Sequence, residues 1–157
     1  MISLINFTKL SLEEKKLVLS WRNHPNIRKW MYNTSEILLE DHLKYIDLLS
    51  SKKDRLYFLV LKNNHPIGVA DLTTINKEEQ TAEIGLYADP HQKCNGSFIL
   101  KVLIEYAFDT LNLHKLYANV YDTNIKAINL YNKFNFKEKK REKNLIFMEL
   151  KNVHRKS

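Results

Sequence analysis

The chain has 157 residues, of which 44% are hydrophobic and 27% charged, and its formal net charge is +7. This length and composition fit one globular domain. The apolar runs are too short to span a bilayer, the N-terminus lacks a signal-peptide pattern, and a single cysteine excludes an intramolecular disulfide or a cysteine-rich zinc site. We therefore expect one domain at 1–150 and a basic tail at 151–157, in the cytoplasm and without membrane association.

The positive charge is concentrated after residue 136, in KEKKREK and KNVHRKS. No basic helix or aromatic-rich RNA signature accompanies it, so we expect a solvated basic surface and no nucleic-acid partner. A small anionic ligand is the partner class that this charge favours.

The front of the chain predicts a strand and two helices. ISLINFT at 2–8 predicts the strand. The first helix starts after Ser11, where Glu14 completes a capping box, and it ends near Arg22. The second helix is predicted to begin near residue 35 or 36, and its apolar stripe continues to Leu49.

The middle of the chain predicts three strands at 55–63, 65–76 and 81–88. An Asn-Asn turn separates the first two and a polar turn, NKEEQ, separates the last two. Such short connections join antiparallel neighbours, so these strands should form an antiparallel meander.

The last third of the chain predicts a helix after Gly96, a strand at 115–121 and a helix at about 124–134. Two short strands follow at 136–138 and 145–150, joined by a charged turn. A strand-helix-strand crossover after a meander predicts a mixed α/β sheet in which the crossover strands are parallel.

Two segments carry a resemblance to a known family. ADPHQKCNGSFIL at 88–100 and NVYDTNIKAINLYNKFNF at 119–136 resemble the two cofactor motifs of the GCN5-related N-acetyltransferase (GNAT) superfamily. The resemblance implies the GNAT fold, a central, mostly antiparallel twisted sheet of about seven strands flanked by four helices. It also implies acetyl-CoA as the cosubstrate.

The first motif departs from the family's Arg/Gln-x-x-Gly-x-Gly/Ala pattern. Gly96 matches the second glycine, Cys94 replaces the first, and His91 or Gln92 takes the leading position. We expect the turn still to bind the CoA pyrophosphate, with Asn95 taking a left-handed backbone conformation. The resemblance assigns cofactor binding to Ile84, Gly85, Leu86, Tyr87, His91, Gln92, Lys93, Cys94, Asn95, Gly96, Ser97, Asn124, Ala127 and Tyr131.

Acetyl transfer to an amine needs a proton donor for the leaving thiolate and a proton acceptor for the amine. Tyr131 is the candidate acid. It lies two helical turns after Asn124, so that both side chains project from one helix face. Glu83, on the strand face opposite Ile84, is the candidate base. The alternatives are that Tyr131 is a core aromatic residue and that Glu83 is an exposed strand charge.

A narrower resemblance lies in WRNHPNIRKWMYNT at 21–34. This segment is similar to family members that acetylate the 4-amino group of UDP-4-amino-4,6-dideoxy-N-acetyl-β-L-altrosamine, in the pseudaminic acid pathway that supplies flagellin glycosylation. The resemblance implies a UDP-amino-sugar substrate and assigns its binding to Arg22, Met31, Tyr32, His42, Thr73 and Asn119. Structural alternatives stay open for three of them: His42 in the core, Arg22 at a helix end, and Asn119 as a polar sheet residue.

Two other functions remain open at this point. The chain could acetylate a protein N-terminus or a small amine, or it could be a CoA-binding module without turnover. The histidines lack ligand spacing, so we expect no metal. A homodimer is one oligomeric state that the sequence leaves open.

Overall fold

The computed structural model describes residues 1–154. Its helices and strands are, in chain order, β1 Ile2–Asn6, α1 Leu12–Arg22, α2 Pro25–Arg28, α3 Leu39–Leu49, β2 Leu56–Lys62, β3 His65–Asn76, β4 Thr81–Ala88, α4 Gly96–Glu105, β5 Lys115–Tyr121, α5 Ile125–Lys133, β6 Lys137–Glu142 and β7 Leu145–Lys151. All seven strands belong to one sheet, in the order β1-β2-β3-β4-β5-β7-β6.

The sheet is antiparallel except between β4 and β5. The predicted meander and the parallel crossover through α4 are therefore confirmed, and so is the mixed α/β class. The turn between β2 and β3 has positive φ angles of 50° at Asn63 and 68° at Asn64. Two such residues are typical of the two-residue turn whose twist matches that of the flanking strands.

Helices cover both faces of this sheet. On one face α4 and α5 pack over a core that includes Leu72, Ile99 and Leu116. On the other face α1 and α3 pack over Leu59 and Val69. Neighbouring residues of one strand enter different cores because successive side chains of a strand point to opposite faces.

The predicted start of α1 is confirmed in detail. The Ser11 hydroxyl accepts a hydrogen bond from the Glu14 N–H at 3.1 Å, and the Glu14 carboxylate accepts one from the Ser11 N–H at 2.9 Å. This reciprocal pair satisfies two of the N–H groups that a helix start leaves without partners.

Two predicted boundaries in the front of the chain were wrong. The helix expected from residue 35 or 36 begins only at Leu39, because Asn23 holds the backbone of Ile37 with two hydrogen bonds at 2.7 and 2.8 Å. The first strand ends at Asn6, where a 3-10 turn begins. The structure also adds the one-turn helix α2, so that residues 1–154 contain five α-helices instead of the four expected.

The last hairpin also differs from the prediction. Most of the charged segment expected to be a turn forms β6, whose six side chains are all exposed. An edge strand without a buried face shows no alternation in its sequence, and charge on such an edge discourages pairing with other chains. The connection shortens to residues 143–144, with a positive φ of 54° at Lys143.

The predicted basic tail lies partly inside the fold. Lys151 ends β7, and Asn152–His154 form a 3-10 turn. Residues 155–157 of the predicted tail lie outside the described residues, and the domain boundary at residue 150 stays a prediction. In residues 1–154 no helix is long and apolar enough to cross a membrane.

Candidate active site

The two central strands β4 and β5 separate part-way along their length. Residues 81–83 of β4 pair with 115–117 of β5, yet β4 continues to Ala88 and β5 to Tyr121. In the described part of the chain, pairing on this edge of β4 stops at Glu83. The N–H and C=O groups that follow therefore face an opening in the sheet, and an extended ligand could pair with them.

Side chains of these two strands alternate between the core and the opening. Ala82 and Ile84 are buried under α4, whereas Glu83 lies on the opposite face, as predicted. On β5 the partly exposed Tyr117 and Asn119 share the face of Glu83. Polar groups from both strands thus meet on one side of the sheet where β4 and β5 separate.

Three residues predicted to be catalytic or substrate-binding form one hydrogen-bonded chain there. The Asn119 amide donates to the Glu83 carboxylate at 3.0 Å and to the Tyr32 hydroxyl at 3.3 Å. Burial raises the pKa of the Glu83 carboxyl and also that of the Tyr32 phenol. A carboxylate with a raised pKa is a stronger proton acceptor than an exposed one.

The Arg-Asn-His-Pro segment explains why Tyr32 reaches this site. Arg22 donates to the Asn33 carbonyl at 2.8 Å. The Asn23 side chain donates to the Ile37 carbonyl and accepts from the Ile37 N–H. The His24 Nδ1 accepts the Asn26 N–H at 3.1 Å and so caps α2. These bonds fix the loop between α1 and α3, which carries Tyr32 to β5.

One N–H donor group of the Arg22 guanidinium is unpaired in the described chain. Its Nη1 is buried and has no hydrogen-bond partner within residues 1–154. Burial lowers the pKa of its guanidinium, and the nearby Tyr87 opposes this shift. An unpaired buried donor is costly unless a ligand satisfies it. Met31 belongs to the same loop, since its N–H bonds to the Arg28 carbonyl.

Tyr131 enters the site from the other side of the sheet. Asn124 caps α5 by accepting the Ala127 N–H at 3.3 Å, and the helix then buries Tyr131 to 7% exposure against Phe136. Burial raises the pKa of the Tyr131 phenol above its usual value, and the negative charges of Asp71 and Glu83 add to this effect. The phenol therefore keeps its proton near neutral pH.

Asp71 is a site residue that sequence reasoning missed. It lies on β3 opposite Gly85, and burial together with the charge of Glu83 raises the pKa of its carboxyl to about 7. The sequence does contain an indication of Asp71, because an acidic residue inside an apolar run such as GVADL is uncommon in a central strand. Thr73, two residues later on the same strand, pairs with Glu83.

The turn before α4 is built differently from the prediction. The left-handed residue is Cys94, with φ of 66°, whereas Asn95 has φ of −96° in the right-handed region. Asn95 is buried and donates to the Gln92 side chain, which itself donates to Asp89. The Gln92 side chain thus links Asp89 to Asn95 across the turn.

The start of α4 remains open to an anion. Asn95 supplies no side-chain cap to the helix within the described chain, and the glycine at its first position has a negative φ. A Cβ on Gly96 would lie 3.3 Å from Leu130, so this glycine lets α4 approach α5 closely. Lys133 reaches Ser97 at 3.1 Å, and the His91 ring lies edge-on to His24.

With this geometry described, the sequence and the fold of the chain can be compared with those of known proteins. Residues 5–137 match the sequence model of the family described as Acetyltransferase (GNAT) domain. The chain belongs to the GNAT acetyltransferase family. It is an acetyltransferase, and acetyl-CoA is its cosubstrate.

Among curated GNAT proteins, the chain is similar to Acetyltransferase PseH from Campylobacter jejuni. It is 39% identical to the protein of strain 81-176 over 87% of this chain and 85% of that one. It is 37% identical to the protein of strain NCTC 11168 over 98% and 96%. Spermidine N(1)-acetyltransferase of Escherichia coli is 27% identical over 84% and 72%.

Solved GNAT structures agree with this similarity. The crystal structure of C. jejuni N-acetyltransferase PseH in complex with acetyl coenzyme A matches with a TM-score of 0.83 and 32% identity, covering 97% of this chain and 99% of that one. A Vibrio cholerae spermidine N-acetyltransferase bound to CoA and spermine has a TM-score of 0.86 at 21% identity, which supports the shared fold alone.

One predicted substrate residue already has a hydrogen-bond partner inside the fold. His42 is only 8% exposed, and its Nε2 donates to the Lys15 carbonyl at 2.8 Å, which joins α3 to α1. Burial lowers the pKa of its imidazole, so the ring stays neutral. These contacts favour the structural alternative for His42. In residues 1–154 no group of three metal-ligating side chains occurs.

Proposed function

We propose that the chain acetylates the 4-amino group of UDP-4-amino-4,6-dideoxy-N-acetyl-β-L-altrosamine, a step of pseudaminic acid biosynthesis that serves flagellin glycosylation. The supporting observation is the 37–39% identity to PseH over most of both chains. The aligned region covers 98% of this chain and so includes the loop whose Tyr32 hydroxyl bonds to Asn119. We place the reaction in the cytoplasm, since one thiol, Cys94, suits a reducing compartment.

The donor binds along the opening between the central strands. The free edge of β4 at residues 84–87 pairs with the pantetheine amides, as an added strand would. Pyrophosphate sits at the start of α4, where N–H groups and the helix dipole favour an anion. Lys93 adds an exposed positive charge there. The Nδ2 of Asn124 stays available to the pantetheine arm while its Oδ1 caps α5.

Transfer proceeds directly within a complex of both substrates. The acceptor nitrogen attacks the thioester carbonyl, a C–N bond forms, and the C–S bond breaks. The amine proton passes to Glu83, directly or through water, and the Tyr131 phenol gives its proton to the departing thiolate. The raised pKa of Glu83 makes its carboxylate a better proton acceptor. The raised pKa of Tyr131 keeps the phenol protonated, and so able to donate, although it also makes the phenol a weaker acid.

The acceptor lies on the face that carries Glu83. Tyr32 and Met31 supply apolar walls for a 6-deoxy sugar, and the unpaired Nη1 of Arg22 offers a donor to its polar groups. Thr73 and Asn119 line the same face beside Glu83. His42 is left out of this assignment because its ring bonds to Lys15.

The test incubates the protein with acetyl-CoA and the UDP-4-amino sugar and measures the product by mass spectrometry. One added acetyl group supports the proposal. Acetylation of a peptide N-terminus or a polyamine, with the sugar untouched, would instead assign the chain to small-amine or protein substrates. Binding of acetyl-CoA without any acetylated acceptor would point to a module without turnover.

A further inference from the structure

Asp71 is a second carboxyl group beside Glu83, and the transfer steps of the proposed function give it no part. On β3 it lies directly opposite Gly85, and Glu83 is two residues before Gly85 on β4. Diagonal neighbours of this kind on one sheet face are about 7 to 8 Å apart. Asp71 is partly exposed, so that a bound acceptor can reach its carboxylate.

The alternation of β3 places Asp71 on the same face as Glu83. The neighbours of Asp71, Ala70 and Leu72, are buried in the core under α4. Val69, two residues before Asp71, packs in the core on the other face, with α1 and α3. Since successive side chains of a strand point to opposite faces, Asp71 lies on the face of Val69 and Glu83. Both carboxyl groups thus line the acceptor side of the opening.

The charge of Asp71 also reaches the proposed proton donor. Burial is the largest cause of the raised pKa of Tyr131, and the charge of Asp71 adds more to it than the charge of Glu83 does. The effect of a charge falls with distance and with exposure to water. Asp71 is therefore at least as well placed as Glu83 to interact with groups near the reacting atoms.

The titratable groups that face Asp71 come from the neighbouring strands and from α5. They are Tyr57 of β2, Glu83 and Tyr87 of β4, and Tyr131 of α5, with Arg22 of α1 acting on Tyr87. Burial raises the pKa of each of the three phenols, so they keep their protons near neutral pH. Burial and the charge of Glu83 raise the pKa of Asp71 to about 7. Among these groups the two carboxyls are thus the proton acceptors near neutral pH.

Acetylation of an amine releases more protons than the leaving group takes up. An aliphatic amine with a pKa of about 8 or higher arrives at neutral pH as an ammonium ion. Two of its three N–H protons must leave, one to free the lone pair and one as the C–N bond forms. The departing thiolate takes up a single proton. Two proton acceptors beside the amine meet this requirement.

We propose that Asp71 binds the ammonium form of the acceptor and takes its first proton, before Glu83 takes the second. The inference rests on the proposed function and adds a second catalytic carboxylate to it. The N–H bond breaks, its electron pair becomes the nitrogen lone pair, and the proton moves to Asp71. The lone pair then forms the C–N bond, the second proton passes to Glu83, and the thiolate receives the Tyr131 proton. One carboxyl proton returns to Tyr131 and the other leaves to water, so one proton is released for each acetyl group.

The test is the pH dependence of kcat/KM for the UDP-4-amino sugar, in the wild type and in Asp71→Asn. Asparagine keeps the shape of the side chain that packs on Gly85 and removes its charge. Asp47→Asn is the matched control, since Asp47 is exposed on α3. Circular dichroism melts verify folding, and calorimetry measures acetyl-CoA affinity.

The wild-type rate should rise with pH through a midpoint near 7, where Asp71 loses its proton. Asp71→Asn can use only acceptor that is already a neutral amine, so its midpoint should move up to the pKa of the free amine. At pH 7 its kcat/KM should fall about tenfold or more, because at least about nine-tenths of the amine is protonated. Above the pKa of the amine the two proteins should agree within about threefold.

Three comparisons complete the expected result. Asp47→Asn should follow the wild type at every pH. Glu83→Gln, which lacks the acceptor of the second proton, should stay impaired above the pKa of the amine. Acetyl-CoA affinity should be the same in the wild type and in Asp71→Asn, because Asp71 meets the acceptor and not the cofactor.

A loss of equal size at every pH, with an unchanged midpoint, would overturn the inference, and so would an unchanged rate. In both cases the wild type still acetylates the sugar, and the proposed function stands. If the wild type leaves the sugar unmodified and acetylates spermidine or a peptide N-terminus, the proposed function fails, and the same pH comparison with that amine decides the role of Asp71. If no amine is acetylated, both fail.

Discussion

The carboxylate of Asp71 lies directly against the backbone of Gly85, its partner across β3 and β4. A Cβ at Gly85 would be 2.7 Å from one carboxylate oxygen and 2.8 Å from the other, closer than real Cβ contacts. The glycine in TAEIGLYA is therefore explained by packing against an acidic side chain, with no need for an unusual φ angle.

Gly85→Ala should destabilise the protein by about 1 to 3 kcal/mol, the usual cost of inserting a methyl group into an occupied space. In an Asp71→Ala background the space is vacant, so the same change should be neutral or stabilising. Denaturant unfolding of the four proteins in this cycle measures the coupling. An equal cost in both backgrounds would show that Asp71 is not the obstacle.

Asp71 should make stability depend on pH. Its folded pKa of about 7 lies above the usual value near 4, so between those values the folded state holds a proton that the unfolded state has lost. This contribution is present at low pH and is lost as pH rises toward 7. We expect a loss of about 2 kcal/mol between pH 5 and pH 8, after allowing for partial solvent access.

Asp71→Asn tests this expectation. The variant should lose that part of the pH slope and be more stable than the wild type at pH 8. The measurement is the free energy of unfolding in urea at several pH values. Identical slopes for the two proteins would mean that the carboxyl titrates normally in the folded state.

The sequence predicts most of the fold because its signals are local. The capping box at Ser11, the Asn-Asn turn and the alternation within 65–76 and 81–88 each depend on neighbouring residues, and each matches the structure. The edge strand β6 has no buried face and so no pattern. The start of α3 is set by Asn23, fourteen residues before Ile37, which a local pattern does not reveal.

The site was only partly predictable for the same reason. The sequence motifs predict Tyr131 and Glu83 as site residues, whereas the surroundings of Asp71 depend on which residue faces it across two strands. His42 has helical spacing that fits both a core and a site, and only the contact with Lys15 distinguishes them.

Tyr131→Phe should lower kcat by about 100-fold or more, the usual contribution of a positioned acid. Acetyl-CoA affinity should change little, because the ring and its packing on Phe136 remain. Calorimetry and steady-state rates between pH 6 and pH 9 separate the two effects. Full turnover at every pH would show that the thiolate takes its proton from another source.

Glu83→Gln should lower kcat/KM by about 100-fold, because the amide cannot accept the amine proton. Burial raises the pKa of Glu83, so the wild-type rate should fall as the pH drops through that raised value. Removing this charge should also lower the pKa of Asp71 toward its usual range, since Glu83 is one cause of its shift. The chemical shift of the Asp71 carboxyl carbon, followed by NMR titration, reports this change. An unchanged midpoint would mean that the two carboxyls do not interact.

Cys94 gives a test of the turn before α4. Its thiol is exposed and its φ of 66° is one that residues with a side chain adopt at a cost. Cys94→Gly should therefore stabilise the protein, by up to about 1 kcal/mol, while keeping acetyl-CoA affinity. Alkylation of the wild type with a bulky maleimide should weaken acetyl-CoA binding, because the adduct stands at the start of α4. The glycine variant is the matched control, since the reagent should leave its affinity unchanged. A wild-type adduct with undiminished affinity would place the pyrophosphate away from this turn.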